Sequence, residues 1–182
     1  MLEINAGNNR IKQRFFFCPL CGEELSFRHD GERNRLTCLE CGYILYEKPA
    51  VVVASIVINE QNMILLGCRK RGREKGRWCI PCGYVDYDED VRDAAVRECK
   101  EETNLDIIIT EVFDVQSSMF PPEGHVIIIW FLARCIGGVL RAQDDLSEAG
   151  YFHLNRLPEM AFKNDVKVIK KLKLRLIDND KR

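Results

Sequence analysis

From Ala50 to Asn59 the chain reads AVVVASIVIN, an apolar and β-branched run of the kind that forms a strand buried on both faces. After Glu60-Gln61-Asn62, the run from Met63 to Arg69 reads as its hairpin partner. Ile107 to Val115, Val126 to Cys135 and Tyr151 to Leu154 follow as further strands. Two segments switch to the helical period. In Asp86 to Thr103, Val91, Ala94 and Ala95 share a stripe, and Asp86, Asp88, Glu89 and Asp90 crowd the first turn, where the helix dipole favours acids. Pro158 opens the second, which runs to Ile177 with Phe162, Val166, Ile169, Leu172 and Leu176 on one side. The order β, β, helix, β, β, β, helix suits an α+β fold in which a mixed sheet lies between helices.

The stripe of the first helix does not stay apolar. Glu98, Glu101 and Glu102 stand at i, i+3 and i+4, so three carboxylates share one face in its last turn. Like charges at this spacing repel, and burying them unpaired is costly. A small, hard divalent cation with oxygen ligands, Mg²⁺ or Mn²⁺, resolves the conflict. A solvated helix with i,i+4 pairs among Asp93, Arg97 and Glu101 accounts for the charges, but not for the frame from Gly83 to Leu105 around them.

That frame resembles the Nudix box: Gly, five residues, Glu, seven residues, Arg-Glu, an aliphatic position, any residue, Glu-Glu, any residue, Gly, aliphatic. Gly83, Glu89, Arg97, Glu98, Glu101, Glu102 and Leu105 fall in register, Cys99 takes the first aliphatic position, and Asn104 replaces the final Gly. The resemblance implies the Nudix fold and a water-driven opening of a diphosphate linked to another moiety. It further implies that Glu98, Glu101 and Glu102 ligate Mg²⁺ or Mn²⁺, with Arg97 and Glu89 as a supporting pair. For the general base it leaves a box glutamate or Glu148, placed in a loop ahead of the strand Tyr151-Phe152-His153. Six positive charges lie between Arg69 and Arg77, and the two end residues, nearest the strands, are the candidates for substrate phosphates. Phe120 and Tyr84 are candidates for stacking a base, with core packing as the competing role.

Length and cysteines add a second module. At 182 residues the chain suits one full domain plus a small one. Cys18-Pro-Leu-Cys21 and Cys38-Leu-Glu-Cys41 are CxxC pairs sixteen residues apart, the spacing of a four-thiolate zinc ribbon. Four sulfurs leave no open position, so this Zn²⁺ is expected to be structural. The expected organisation is an extension over 1–17 whose Phe15-Phe16-Phe17 packs on the ribbon, the ribbon over 18–46, and a hydrolase domain over 49–182.

Cys79-Ile-Pro-Cys82 is a third CxxC, read as substitutions in a buried strand end in preference to a redox pair. A net charge of −1 gives no global footprint for nucleic acid or membrane, and the ribbon's mixed charges favour a packing or oligomerisation role, with a homodimer as the candidate assembly. The apolar runs are too short to span a bilayer, and the N-terminus lacks a signal-peptide core. Nine cysteines without a secretory signal fit a reducing, cytoplasmic compartment. A ribbon followed by a Nudix box resembles the zinc-ribbon Nudix hydrolases, a group with ADP-ribose and FAD diphosphatases and NADH pyrophosphatases. Gln116-Ser-Ser-Met-Phe-Pro-Pro122 keeps little of the array typical of the NADH enzymes, whereas Leu146-Ser-Glu-Ala-Gly-Tyr-Phe152 is similar to the ADP-ribose and FAD branch. The expected substrate is therefore a small nucleotide, ADP-ribose or FAD before NADH. A catalytically silent Nudix-like binding module is the alternative of another class.

Overall fold

The computed structural model describes residues 14–120 and 124–179, and the chain divides into two compact units after Lys48. The smaller unit holds three antiparallel strands in the order β1 (Leu25–His29), β2 (Asn34–Cys38), β3 (Ile44–Leu45). Asp30 organises the turn between the first two. One of its oxygens accepts the backbone N–H groups of Glu32 and Arg33 at 2.9 Å each, and the other takes the Arg35 guanidinium. Cys18, Leu25, Leu36 and Cys38 form the buried cluster, with Phe27, Tyr43 and Leu45 against it. Phe15, Phe16 and Phe17 do not join that cluster, contrary to expectation; they are 43%, 58% and 64% exposed. Two of them serve through their backbone instead: Phe16 O accepts from Leu25 N–H at 2.8 Å, and Phe17 bridges to Glu24.

In the larger unit, β4 (Ala50–Val57) lies inside a four-stranded sheet of order β7 (Cys82–Tyr84), β4, β9 (Gly124–Gly138), β8 (Leu105–Phe120). β4 runs parallel to β9, from Ala50 opposite Val126 to Val57 opposite Ala133, and the other pairs are antiparallel. Side chains alternate across this sheet. Val53 and Phe131 pack on Ala94 and Ala95 of α1 (Val91–Thr103), while Ala54, Ile56, Ile128 and Trp130 pack on Val168, Ile169 and Leu172 of α2 (Lys163–Asn179). The mixed sheet thus lies between two helices, as the element order implied. Ser55, on the α1 face, satisfies its buried hydroxyl by donating to Ala95 O at 3.0 Å.

The expected hairpin closes at its turn but does not extend into a ladder. β5 (Met63–Arg69) joins a second sheet, between β10 (Leu146–His153) and β6 (Trp78–Cys79), and meets the end of β4 through the Ile58–Ile64 bridge and the bond of 3.1 Å from Asn59 N–H to Met63 O. Ile64, Leu65 and Leu66 are all 0% exposed, and a strand covered on both faces has no alternation to reveal its neighbour. Helix α1 starts at Val91, not Asp86, because Asp90 stops it as an N-cap, its carboxylate accepting Arg92 N–H at 2.8 Å. Helix α2 likewise starts at Lys163 and not at Pro158. The 16-residue β8 and 15-residue β9 outrun their expected ends.

Candidate active site

Helix α1 presents its acidic face around one guanidinium. Arg97 grips Glu89 with two parallel bonds of 2.8 Å, from Nε to Oε1 and from Nη2 to Oε2. Its Nη1 donates to Glu98 Oε1 at 2.8 Å and Glu101 Oε2 at 3.2 Å, and Nη2 also reaches Tyr84 O at 3.1 Å. Ending the helix at Asp90 is what frees Glu89 to fold back onto Arg97. The pairing pulls the Glu89 carboxyl below its ordinary range, the hydrogen bond from Arg97 being the main cause.

Glu102 turns the other way. It is 3% exposed, and its Oε2 accepts the Cys82 backbone N–H at 2.9 Å. Burial pushes its carboxyl well above the usual range, helped by Cys79 and Glu98 and opposed by that N–H. Burial is also the main cause that raises Glu98, with the charges of Glu101 and Asp144 adding to it and Arg97 opposing. Gly83 is needed here for space: a Cβ on it would come within 1.9–2.2 Å of the Glu98 carboxyl group. The helix ends in the left-handed turn that the family Gly suggests, with Asn104 at φ 60°, its N–H on Lys100 O at 2.8 Å and its side-chain amide on Val139 O at 2.9 Å.

Glu98 and Glu102 open onto a cleft of about 810 Å³. Arg69, Arg73 and Lys163 give it positive groups, and Tyr84, Met119 and Phe162 give it apolar ones. Arg69 lies over the Phe162 ring at 5.2 Å, and its buried Nε has no hydrogen-bond partner. Arg77 does not line the cleft; Glu74 and Glu159 hold its guanidinium at 2.5 and 2.9 Å. Glu101 is 48% exposed, outside the lining. Glu148 lies within β10 opposite Cys68, just past a bulge that follows Leu146, and not in a loop; it is exposed and off the cleft. The Phe120 side chain lies outside the described residues. Asp144, Asp145, Arg73, Lys163 and Asp165 line the cleft without having been singled out. Of these, Arg73 was one of the six charges between Arg69 and Arg77, and Asp165 left a trace as an acid one turn before Ile169 on the apolar face of α2.

The NUDIX domain family model matches residues 48–172, and the model described as Nudix N-terminal, a zinc ribbon, matches residues 17–47. The chain belongs to the Nudix family. Within it, the chain is 46% identical over 129 residues to an ADP-ribose pyrophosphatase of Methanocaldococcus jannaschii, covering 70% of this chain and 75% of that one. It is 30% identical over 154 residues to the NAD-capped RNA hydrolase NudC of Vibrio atlanticus, covering 83% of this chain but only 54% of that protein. A solved NUDIX hydrolase from Nitrosomonas europaea superposes with a TM-score of 0.77 at 28% identity, over 86% of this chain and 89% of that one. The chain is a Nudix hydrolase, with the box running from Gly83 in β7 through α1 to Leu105 at the start of β8.

Of the two metal sites implied by the Nudix and ribbon families, the ribbon's is already gathered and the box offers donors of the right chemistry. The Sγ atoms of Cys18, Cys21, Cys38 and Cys41 all lie within 4.8 Å of one another, with 3.6 Å from Cys18 to Cys41 and 3.4 Å from Cys21 to Cys38. Sulfurs about 2.3 Å from a shared tetrahedral centre stand about 3.8 Å apart, so the set fits Zn²⁺. Gly22 and Gly42, at φ 82° and 76°, close the two knuckles by donating to the carbonyls of Cys18 and Cys38. Glu98 and Glu102 are hard oxygen donors whose charged form burial disfavours, a penalty that a bound divalent cation offsets. Among the described residues, however, only the four cysteines bring three or more ligand atoms so close together. Arg97 holds Glu98 and Glu101 while Cys82 N–H holds Glu102. No helix among the described residues is long and apolar enough to cross a membrane.

Proposed function

We propose that this Nudix hydrolase opens the diphosphate of ADP-ribose, with FAD as the next substrate, using Mg²⁺ or Mn²⁺ held by Glu98, Glu101 and Glu102. One observation carries the reading: a single cleft holds the box carboxylates Glu98 and Glu102, half-buried and buried, together with Arg69, Arg73 and Lys163. Acid on one part and base on the other is what a cation and a diphosphate require together. Likeness to an ADP-ribose pyrophosphatase over 70% of the chain supports that choice of substrate.

In this reading Arg69 binds a phosphate oxygen through donors left over from its contact with Phe162, and Tyr84 or Met119 packs on the base. Arg97 and Glu89 keep the box carboxylates in register. A bound divalent cation supplies charge neutralisation and polarisation of the P–O bond under attack. Water adds to one phosphorus, the bridging P–O bond breaks, and ADP-ribose leaves as AMP and ribose 5-phosphate. The water's proton goes to a box carboxylate, and Glu98 Oε2 is the oxygen that Arg97 leaves unbonded. Glu148, exposed on β10, is poorly placed for that step. In the ribbon, Zn²⁺ on Cys18, Cys21, Cys38 and Cys41 holds the module together.

The likeness to NudC favours a second reading, cleavage of an NADH-type diphosphate. Incubation of the full chain with ADP-ribose, FAD or NADH and Mg²⁺, with products resolved chromatographically, separates the two. Fastest release of AMP from ADP-ribose is expected; preferential NADH cleavage selects the second reading, and turnover of none of them rejects both.

A further inference from the structure

One buried carboxylate stands outside the Nudix box. Asp165, in the first turn of α2, is 5% exposed although it lies at the cleft. Each of its oxygens already accepts an N–H: Oδ2 from the Ile80 backbone at 3.1 Å and Oδ1 from the Trp130 indole at 3.3 Å. With both oxygens engaged it is poorly placed to bind a ligand. What it holds is the crossover Cys79-Ile80-Pro81-Cys82, which carries the chain from β6 in one sheet to β7 in the other.

That crossover is pinned at successive points. Ile80 N–H goes to Asp165, Pro81 O accepts Ser55 N–H at 2.9 Å, and Cys82 N–H goes to Glu102 Oε2 at 2.9 Å. The next residue, Gly83, is the one whose missing Cβ makes room for Glu98. Asp165 and Glu102 therefore grip the same four-residue strap from opposite ends, and the strap sets where both cleft glutamates sit. A proline within it stiffens the connection between the two grips.

We propose that Asp165 is a positioning residue for the hydrolase: through Ile80 N–H it fixes the strap, and through Cys82 N–H the strap fixes Glu102. The role rests on the diphosphatase reading for its effect on turnover, but not for its effect on the strap. Small displacements of a catalytic group cost large factors in rate, so loss of the grip lowers kcat and leaves substrate affinity nearly intact.

The test uses the full chain with Mg²⁺, amide hydrogen exchange at Cys82, and steady-state kinetics. Asp165→Ala is expected to speed Cys82 exchange by about tenfold or more, while the α1 amides stay protected. It is also expected to lower kcat by about tenfold or more with KM within about twofold. Asp165→Asn offers one acceptor to two donors and falls between the two proteins. Adding Trp130→Phe to it removes the competing donor, returns the oxygen to Ile80, and restores Cys82 protection and kcat. If Asp165→Ala does not fold, the Asp165→Asn pair, with and without Trp130→Phe, decides. Unchanged Cys82 exchange in Asp165→Ala, or no rescue in the double variant, overturns the proposal. A rise in KM without a fall in kcat marks Asp165 as a substrate contact and overturns it too. A wild-type chain that hydrolyses nothing defeats the diphosphatase reading alone, because exchange at Cys82 still reports on the grip.

Discussion

Arg97 makes five hydrogen bonds, to Glu89, Glu98, Glu101 and the Tyr84 carbonyl, and so ties three of the box acids to one cation. Removing charge from that cluster separates chemistry from folding. Glu101→Gln keeps an acceptor for Arg97 and lessens carboxylate repulsion, so a loss of about a hundredfold or more in turnover is expected with no fall in melting temperature. Near-normal turnover would falsify its role as a ligand. Gly83→Ala tests space at the same face. The added Cβ meets only the end of the Glu98 side chain, which can swing aside, so stability changes little while the carboxylate is displaced. Circular dichroism melts close to wild type with turnover down by about tenfold or more are the expected pair. Asp165 gives the pH dependence. Burial raises its carboxyl to about 7, with Ile80 N–H, the Trp130 indole and the Arg69 charge opposing. Its folded value lies above the unfolded one, so the stability it contributes is full below about pH 4 and is lost as pH rises through about 7. Glu98 and Glu102 tilt the profile the same way, and comparison with Asp165→Asn isolates this group. From pH 5 to pH 8 the wild type is expected to lose stability relative to Asp165→Asn in urea titrations; a pH-independent difference contradicts the assignment.

At the scale of elements, Asn104 is where the box departs from its pattern, and the cap it forms has the expected shape. Its φ of 60° is reached easily by Gly, tolerably by Asn and poorly by a β-branched residue. Asn104→Gly is thus expected to change stability by about 1 kcal/mol or less and turnover only a few-fold, since the amide bond to Val139 O is all that it loses. Asn104→Val resists positive φ and should damage both. A silent wild type that gains strong activity as Asn104→Gly would show that the substitution disables the enzyme. Helix α1 and β4 were readable in the chain because their signals are local, a helical stripe in one and a β-branched run in the other: Ala94 and Ala95 find the sheet, and Val53 and Ala54 face opposite sides of it. The pairing of β5 was not, since a strand with Ile64, Leu65 and Leu66 all buried fits equally well beside several partners. Spacing alone put Glu98, Glu101 and Glu102 on one face, but did not show that Glu102 turns to Cys82 N–H or that Glu101 stays off the cleft. The Asp165 and Cys82 contacts could not be read, because they join residues 85 and 20 positions apart through a crossover between sheets. Arg77 was misjudged for a related reason. Nearness to a strand says nothing about Glu159, which arrives from far along the chain to take its charge.

For the whole molecule, the division after Lys48 makes metal and chemistry separable. The ribbon's buried cluster is four residues, two of them cysteines, and so small an apolar core cannot offset the backbone entropy of the segment it orders. Folding of the module must then draw on thiolate ligation, for which the four Sγ atoms are already gathered. The box, by contrast, lies wholly in the larger unit, whose core runs from β4 and β9 to α1 and α2. Cys21→Ser removes one ligand from the ribbon and leaves the residues of that core unchanged. Loss of about one Zn²⁺ per chain is expected, together with rapid proteolysis within residues 18–46. The kcat measured with Mg²⁺ should stay within a few-fold of wild type, because the box carboxylates lie within the larger unit. A chelator strong enough to strip Zn²⁺ should reproduce the proteolysis pattern, and Mg²⁺ restored afterwards should recover turnover without restoring the ribbon. Zinc loss with an unchanged melting profile and an intact ribbon would mean that the module folds without its metal. Zinc loss that abolishes kcat while the larger unit stays folded would mean that the two units are coupled in catalysis.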